Sequence, residues 1–261
     1  MRCAARAAAA AAALALGVAV AQERPIPPER LQSGFAFLAP DQRALQRDEF
    51  ANPGMLWVER GERLWREPAG AAGGSCATCH GDARASMRGV AAGYPAFDTS
   101  AKRLFNLEGR INHCRTTQQG APSLAHESDA LLSLTAYVAH QSRGAPVAVS
   151  IDGPARKHFA AGERLYRERR GQLNLACAQC HDANWGRKLG PETISQGHPN
   201  AYPVYRLEWQ ALGSLQRRFR SCLSGIRAEM LPYGAPEYLD LELYVAWRAG
   251  GLVIETPGVR R

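Results

Sequence analysis

Apolar positions recur with a helical spacing of three and four residues in four stretches of the chain. The stretches are residues 55–66, 129–141, 160–169 and 239–248. Such spacing gives a helix an apolar face, so each stretch predicts a packed helix. The segments between them are rich in glycine, proline and polar residues, which predicts loops, and runs typical of strands are few. The pattern therefore predicts a mainly α-helical chain.

The same landmarks occur twice in the same order, which predicts an internal duplication. They are GERL (61–64 and 162–165), Cys-x-x-Cys-His (76–80 and 177–181), Arg-x-x-x-Cys (110–114 and 218–222) and Tyr-Val-Ala (137–139 and 244–246). The first two pairs are both offset by 101 residues. Each half thus has a helix, a Cys-x-x-Cys-His loop, a connecting region with one cysteine, and a closing helix.

Glycine and proline interrupt the helical pattern between residues 144 and 153, which predicts the boundary of the two halves. We expect a first domain at residues 55–149 and a second at residues 150–261. Residues 22–54 have no counterpart in the second half. We expect this N-terminal extension to wrap the first domain.

Residues 1–21 predict a secretory signal peptide. They open with Arg2 and Arg6, continue through an alanine-rich apolar run and end in Ala-Val-Ala. The run is short for a bilayer span, and no later segment reaches the roughly 20 apolar residues that a span requires. We therefore expect a cleaved signal, a periplasmic protein and no membrane span.

The chain has a formal net charge of +8, of which the predicted signal peptide accounts for two arginines. Nearly all of the positive charge is arginine, whose planar guanidinium suits bidentate binding of small oxyanions. The sequence has neither a helix-turn-helix nor a zinc-finger pattern, and export separates the protein from nucleic acid. We therefore expect no nucleic-acid partner.

Four of the seven cysteines belong to the two Cys-x-x-Cys-His motifs. In an exported protein this motif is typical of covalent haem attachment, with the histidine bound to the iron. A redox-active cysteine pair or a zinc site is the alternative, but the βαβ context of a thioredoxin-like pair is missing. We predict two tandem class I cytochrome c-like domains, each with one covalent haem c. The predicted attachment residues and proximal ligands are Cys76, Cys79, His80, Cys177, Cys180 and His181.

Cys114 and Cys222 occupy equivalent positions in the repeat, and each is the remaining cysteine of its half. We hypothesise that they are the sixth ligands of the two irons, which gives both haems His/Cys axial ligation. A methionine ligand is an alternative, although Met87 follows His80 by only seven residues and Met230 has no counterpart. A disulfide between Cys114 and Cys222 is another.

Arginine placement supports a thiolate at both cysteines. Arg110 and Arg218 each precede the cysteine by four residues, which is one face if the segment is helical. A nearby guanidinium favours the charged sulfur and lowers the thiol pKa. Arg218 is also a candidate for contacting an anionic substrate. His113 could compete with Cys114 as a ligand, but it has no counterpart beside Cys222.

The chain resembles the SoxA family, the dihaem subunit of the SoxAX cytochrome of sulfur oxidation, over most of its predicted mature length. The haem motifs are common to many cytochromes, whereas Cys-Leu-x-x-x-Arg-Ala after Arg-x-x-x-Cys, at residues 218–228, is much more specific. The resemblance also runs through residues 52–65, 75–81, 111–115, 177–181 and 241–248.

The resemblance implies an L-cysteine S-thiosulfotransferase that works with the monohaem SoxX subunit and oxidatively couples thiosulfate to a cysteine of the SoxYZ carrier. It implies that Cys222 is the active-site residue, present as a persulfide that also ligates the second haem, and that Arg218 contacts the substrate. Two other functions stay open. One is a thiosulfate dehydrogenase, which forms tetrathionate and for which we expect a methionine ligand on the second haem. The other is a plain dihaem electron-transfer cytochrome.

Overall fold

The computed structural model describes residues 23–261, so the predicted signal peptide lies outside the described residues. Within this range the chain forms ten α-helices and seven short strands. The helices are α1 (Pro40–Arg47), α2 (Met55–Arg66), α3 (Cys76–His80), α4 (Ala83–Ser86), α5 (Leu107–Thr117), α6 (Asp129–His140), α7 (Ala155–Arg167), α8 (Cys177–His181), α9 (Leu215–Gly225) and α10 (Pro236–Arg248). The strands are β1 (Ala96–Asp98), β2 (Arg103–Phe105), β3 (Lys188–Leu189), β4 (Glu192–Thr193), β5 (Val204–Arg206), β6 (Ala211–Gly213) and β7 (Gly258–Arg260). None of the helices in this range combines the length and apolar character needed to cross a membrane.

The mainly α-helical prediction is confirmed, and the four expected helices are α2, α6, α7 and α10. The loop prediction was wrong for α5 and α9, which carry the single cysteine of each half. Both begin at a polar N-cap: the side chain of Asn106 accepts a hydrogen bond from Gly109 N, and that of Ser214 accepts one from Arg217 N. As a result, each Arg-x-x-x-Cys pair lies one turn apart on one helix.

Two helix pairs form the frame of the molecule, α2 against α6 and α7 against α10. The glycine of each GERL sequence lies where the two helices of a pair cross. A Cβ atom at Gly61 would lie 2.1 Å from the Ser133 carbonyl oxygen, and one at Gly162 would lie 2.0 Å from the Asp240 carbonyl oxygen. The repeated glycine therefore permits close helix packing that any side chain would prevent.

Each half contributes a two-stranded hairpin to the core of the other half. In the first half β1 pairs with β2, and buried Leu104 of this hairpin packs with α7 and α10. In the second half β5 pairs with β6, and buried Leu212 packs with α2 and α6. The exchange is reciprocal, so the two halves share their hydrophobic cores.

The N-terminal extension differs from the expectation, because it packs mainly against the second half. Arg24 Nη1 donates to the Gly250 carbonyl oxygen over 2.8 Å, and Gln46 Oε1 accepts from Val259 N over 3.0 Å. Val259 lies on β7, which pairs in parallel with β5. The C-terminal strand thus supplies the edge that binds the extension.

Candidate functional site

The first Cys-x-x-Cys-His motif forms the short helix α3. Its start is fixed by a capping box, in which Thr78 N donates to the Ser75 hydroxyl over 3.1 Å and Ser75 N donates to the Thr78 hydroxyl over 3.0 Å. Cys76 and Cys79 therefore lie one turn apart, the first half-buried and the second exposed, and both thiols are free.

The second motif forms α8 in the same way. Here the Gln179 side-chain oxygen accepts from Ala176 N over 2.8 Å and caps the helix start. Cys177 and Cys180 are free and half-buried. Both motifs thus present two thiols from one helical turn, followed by a histidine.

The residue after each motif histidine is tied to the first helix of its half. In the first half Trp65 Nε1 donates to the Gly81 carbonyl oxygen over 3.0 Å. In the second half the Tyr166 hydroxyl donates to Asp182 over 2.9 Å. Asp182 also forms an ion pair with Arg248, whose side chain is 1% exposed. This buried pair holds the end of α8 against α7 and α10, and neither of its residues was singled out from the sequence.

The imidazole of His181 is oriented by a loop. Its Nδ1 atom lies 2.7 Å from the Ser195 carbonyl oxygen, which only accepts hydrogen bonds, so Nδ1 carries the proton. Nε2 is then the nitrogen free to bind a metal. Gly197 follows with a φ of +73°, and a Cβ atom there would lie 2.8 Å from His181 Cγ. The loop therefore needs glycine to close against the ring.

Cys222 on α9 lies beside this histidine and beside arginines. Burial raises the pKa of its thiol, but the Arg218 guanidinium, a hydrogen bond with His181 and the charge of Arg206 outweigh burial and lower the pKa to about 7. The Cys222 thiolate in turn raises the pKa of Arg218. The sulfur is therefore available as a thiolate near neutral pH.

Cys114 on α5 occupies the equivalent position in the first half, but its surroundings differ. Burial raises the pKa of the Cys114 thiol, the Arg110 guanidinium lowers it only in part, and Cys79 raises it further. Arg110 is occupied by an ion pair with Asp98. The duplication has thus produced one cysteine poised as a thiolate and one that is not.

The structure brings the candidate residues of the second half together. Burial, and after it the nearby Cys222 sulfur, raises the pKa of both Cys177 and Cys180. His181 is among the groups that lower the pKa of the Cys222 thiol, so its imidazole lies near this sulfur. The four candidate haem-binding residues of this half therefore lie close to one another.

In the first half the three cysteines approach one another, because Cys114 contributes to the raised pKa of Cys76 and Cys79 contributes to that of Cys114. His80 is exposed, and its ring lies 5.7 Å from the ring of Trp65 between centroids. This half is therefore more open than the second.

The alternative sixth ligands and the disulfide can be compared with the structure. All six cysteines of residues 23–261 are free, so Cys114 and Cys222 form no disulfide. Met87 packs against the hydrophobic core of the first half, while the Met230 side chain is 45% exposed. Of these candidates, Cys222 is the one whose pKa is lowered by a motif histidine.

Haem c fits the residues present in both halves. Each pair of free thiols lies on one turn, next to a histidine, and in the second half the loop leaves His181 Nε2 free. The donor set of two thiols, an imidazole and a further cysteine sulfur is that of a c-type cytochrome rather than of a cation that prefers oxygen.

Comparison with known proteins identifies the relatives of this chain. Residues 60–147 match the family model described as the SoxA/TsdA cytochrome c domain, which indicates a covalently bound haem c. The chain is 44% identical to the L-cysteine S-thiosulfotransferase subunit SoxA of Pseudaminobacter salicylatoxidans, over 88% of this chain and 80% of that protein. It is 40% identical to the protein of the same name from Rhodovulum sulfidophilum, over 89% and 81% of the two chains.

A solved structure extends the likeness to three dimensions. The fold matches the crystal structure of SoxXA from P. pantotrophus with a TM-score of 0.85 and 38% identity, over 88% of this chain and 86% of that chain. The shared fold thus extends along most of both chains. Sequence identity and architecture agree that the chain belongs to the SoxA family.

Proposed function

We propose that this chain is the SoxA-type subunit of an L-cysteine S-thiosulfotransferase and oxidatively couples thiosulfate to a cysteine of a SoxYZ-type sulfur carrier. The names of the similar proteins support this activity. The observation that carries the proposal is the position of half-buried Cys222, which lies one turn after Arg218 on α9 and whose thiol pKa is lowered by Arg218 and His181. That arrangement joins a reactive sulfur, an anion site and a haem ligand in one place.

The reaction forms one sulfur–sulfur bond. The sulfane sulfur of thiosulfate bonds to the carrier thiol, the thiol proton leaves, and two electrons are released. The product is a carrier cysteine that bears an S-thiosulfonate group. The haem c groups, when bound, supply irons that accept these electrons one at a time.

The residues of this chain divide the remaining tasks. Cys222, which we propose to act as a persulfide, presents its sulfur to the reactants and binds the second haem together with His181. Arg218 neutralises negative charge beside that sulfur and binds the oxyanion. The Ser195 carbonyl holds the proton of His181 on Nδ1, and the Asp182–Arg248 pair keeps α8 in position.

The proposed cofactor content is two covalent haems with His/Cys ligation. His80 and Cys114 would hold the first and His181 and Cys222 the second, with attachment through the two Cys-x-x-Cys pairs. We propose residues 55–149 and 150–261 as the two domains, with residues 22–54 as the extension before them. Their exchanged hairpins make the two domains interdependent.

The proposed partners are a monohaem SoxX-type cytochrome, which accepts the electrons, and the SoxYZ-type carrier. The match to a SoxXA structure supports the first partner. We propose a periplasmic location, supported by the signal peptide predicted at residues 1–21 and by the covalent attachment of haem c.

Product analysis tests this function. The holo-complex with its SoxX-type subunit is given thiosulfate and an electron acceptor, with and without the carrier, and the carrier is weighed by mass spectrometry. We expect a thiosulfate adduct that disappears in Cys222→Ala and persists in Ser224→Ala, an exposed position on the same helix. Tetrathionate formed without carrier would indicate a thiosulfate dehydrogenase, and no reaction would indicate an electron-transfer cytochrome.

A spectroscopic experiment tests the proposed ligation. The thiolate signature of the second haem should be lost from the electron paramagnetic resonance spectrum of Cys222→Ala.

A further inference from the structure

The two hairpins extend the internal repeat beyond the sequence motifs. The strands β1 and β5 start 108 residues apart. The same offset separates β2 from β6, and the cysteine-bearing helix α5 from α9. Tyr-Pro precedes the first strand of each hairpin, at residues 94–95 and 202–203. With this register every residue around Cys114 has a defined counterpart around Cys222.

At the end of the first strand the charge is reversed between the halves, because Asp98 corresponds to Arg206. In the first half Asp98 forms an ion pair with Arg110, the counterpart of Arg218. A hydrogen bond from Ala101 N and the contact with Arg110 lower the pKa of Asp98 to about 2. The arginine near Cys114 is therefore already neutralised by a carboxylate of its own half.

In the second half arginines occupy both of these positions, and the register with the ion pair between Asp98 and Arg110 places Arg206 near Arg218. In agreement, burial, and after it the charge of Arg218, lowers the pKa of Arg206. Arg206 also contributes to the lowered pKa of Cys222. Within residues 23–261 no carboxylate forms an ion pair with Arg206 or Arg218.

Arg206 is held in a fixed position. Its guanidinium lies over the Trp209 ring, 5.0 Å from the centroid, and its buried Nε atom has no hydrogen-bond partner in the described part of the chain. On the neighbouring strand β7, Arg260 is its register partner, and the Arg260 guanidinium is bound by Gln46. Arg206 is thus oriented by packing while its donors stay available.

Two neighbouring half-buried guanidinium groups, neither with a carboxylate ion partner among residues 23–261, repel each other, and an anion between them would relieve the repulsion. Two guanidinium forks match the oxygens and the charge of a small dianion. We propose that Arg206 binds the sulfonate group of thiosulfate together with Arg218, and that Asp98 keeps the equivalent place in the first half closed to anions. This inference rests on the proposed function and adds a substrate-binding residue to it.

The test uses the oxidised holo-complex titrated calorimetrically with thiosulfate in the absence of carrier, followed by steady-state kinetics with carrier. We expect Arg206→Gln to weaken thiosulfate binding by about tenfold or more, the loss typical of a charged hydrogen bond. The KM for thiosulfate should rise by the same factor, while kcat and the KM for the carrier stay within about twofold. Arg206→Lys should recover part of the loss, because it keeps the charge but not the fork.

Arg217→Gln is the matched control, because the Arg217 guanidinium covers the same indole, 4.0 Å from the Trp209 centroid, and carries the same charge. It should leave thiosulfate affinity unchanged. Wild-type affinity in Arg206→Gln would overturn the inference. An altered reduction potential of the second haem together with unaltered thiosulfate affinity would also overturn it, because that result would mean that Arg206 binds the haem carboxylates. A wild-type complex that binds thiosulfate without forming the carrier adduct would refute the proposed function alone.

Discussion

Asn106 and Glu242 come from opposite halves of the chain and meet in the buried seam between them. The Asn106 side-chain amide donates to both oxygens of the Glu242 carboxyl group, over 3.1 and 3.2 Å. Gln216 donates to the same group over 2.7 Å, and Glu108 lies within 3.4 Å of the Asn106 amide. The N-termini of both cysteine-bearing helices therefore converge on one acidic pair.

This pair predicts a loss of stability as the pH rises from acid towards neutral. Burial raises the pKa of Glu242 to about 7, and burial together with Glu242 and Glu127 raises that of Glu108. A carboxyl whose folded pKa exceeds its unfolded value stabilises the fold below the unfolded pKa, near 4.5, and this contribution is lost as the pH rises through the folded pKa. Denaturant titrations should show the free energy of unfolding falling between about pH 4.5 and pH 7 by up to about 1.4 kcal/mol per pH unit for Glu242, and Glu108 should add to the loss in the same direction.

Glu242→Gln should flatten this dependence, because an amide keeps the hydrogen bonds without gaining a charge. Glu237→Gln, an exposed position on the same helix, is the control and should retain the wild-type profile. An unchanged slope in Glu242→Gln between pH 4.5 and 7 would show that the Glu242 carboxyl does not cause the dependence.

The exchanged hairpins predict that the halves unfold together. Leu104→Ala removes a buried side chain of the first half from a core built by α7 and α10, and it should cost about 2–5 kcal/mol. The expected result in denaturant is one transition, shifted as a whole and with the same midpoint for both haem environments. Leu189→Ala, at a side chain 67% exposed, should change little. Two separated transitions would contradict the shared cores.

The helices of the frame could be predicted from sequence, because α2 and α6 bury regular apolar faces whose period is visible along the chain. The helices α5 and α9 could not, because their sequences are mostly polar and their start depends on the caps at Asn106 and Ser214. The duplication was visible only in its motifs.

The charge reversal between Asp98 and Arg206 was hidden for a specific reason. The repeat is offset by 101 residues at the haem motifs and by 108 at the hairpins. The second half therefore has additional residues between these features, where the small hairpin β3–β4 lies. The Arg-x-x-x-Cys motifs already have the offset of 108, and the paired strands show that this register extends back to residues 98 and 206. The packing of the N-terminal extension against the second half could not be predicted either, because it depends on contact with β7, which is distant in sequence.

Gly197→Ala is predicted to disturb the second haem site selectively. The new Cβ would lie 2.8 Å from His181 Cγ and would push the ring away from its position, in addition to the strain of a positive φ. Gly190 also has a positive φ, of +60°, but has nothing within 4 Å of its Cβ position. We expect the absorption and paramagnetic resonance spectra of the second haem to change in Gly197→Ala and to stay as in the wild type in Gly190→Ala. Equal spectra in both variants would show that the loop gives way instead of the histidine.

The two equivalent arginines are predicted to differ in function although they hold the same place in the repeat. Arg218 has no carboxylate partner among residues 23–261 and lowers the pKa of Cys222, so Arg218→Ala should slow carrier coupling by about tenfold or more while both haem spectra remain intact. Arg110 forms an ion pair with Asp98, so Arg110→Ala should leave the coupling rate within about twofold of wild type. It should instead lower the melting temperature, because the substitution leaves Asp98 unpaired. The measurement is the coupling rate of the two holo-complexes, alongside their thermal unfolding. Equal losses of activity in both variants would mean that the arginine serves only its own thiolate ligand in each half, and that the substrate anion is bound elsewhere.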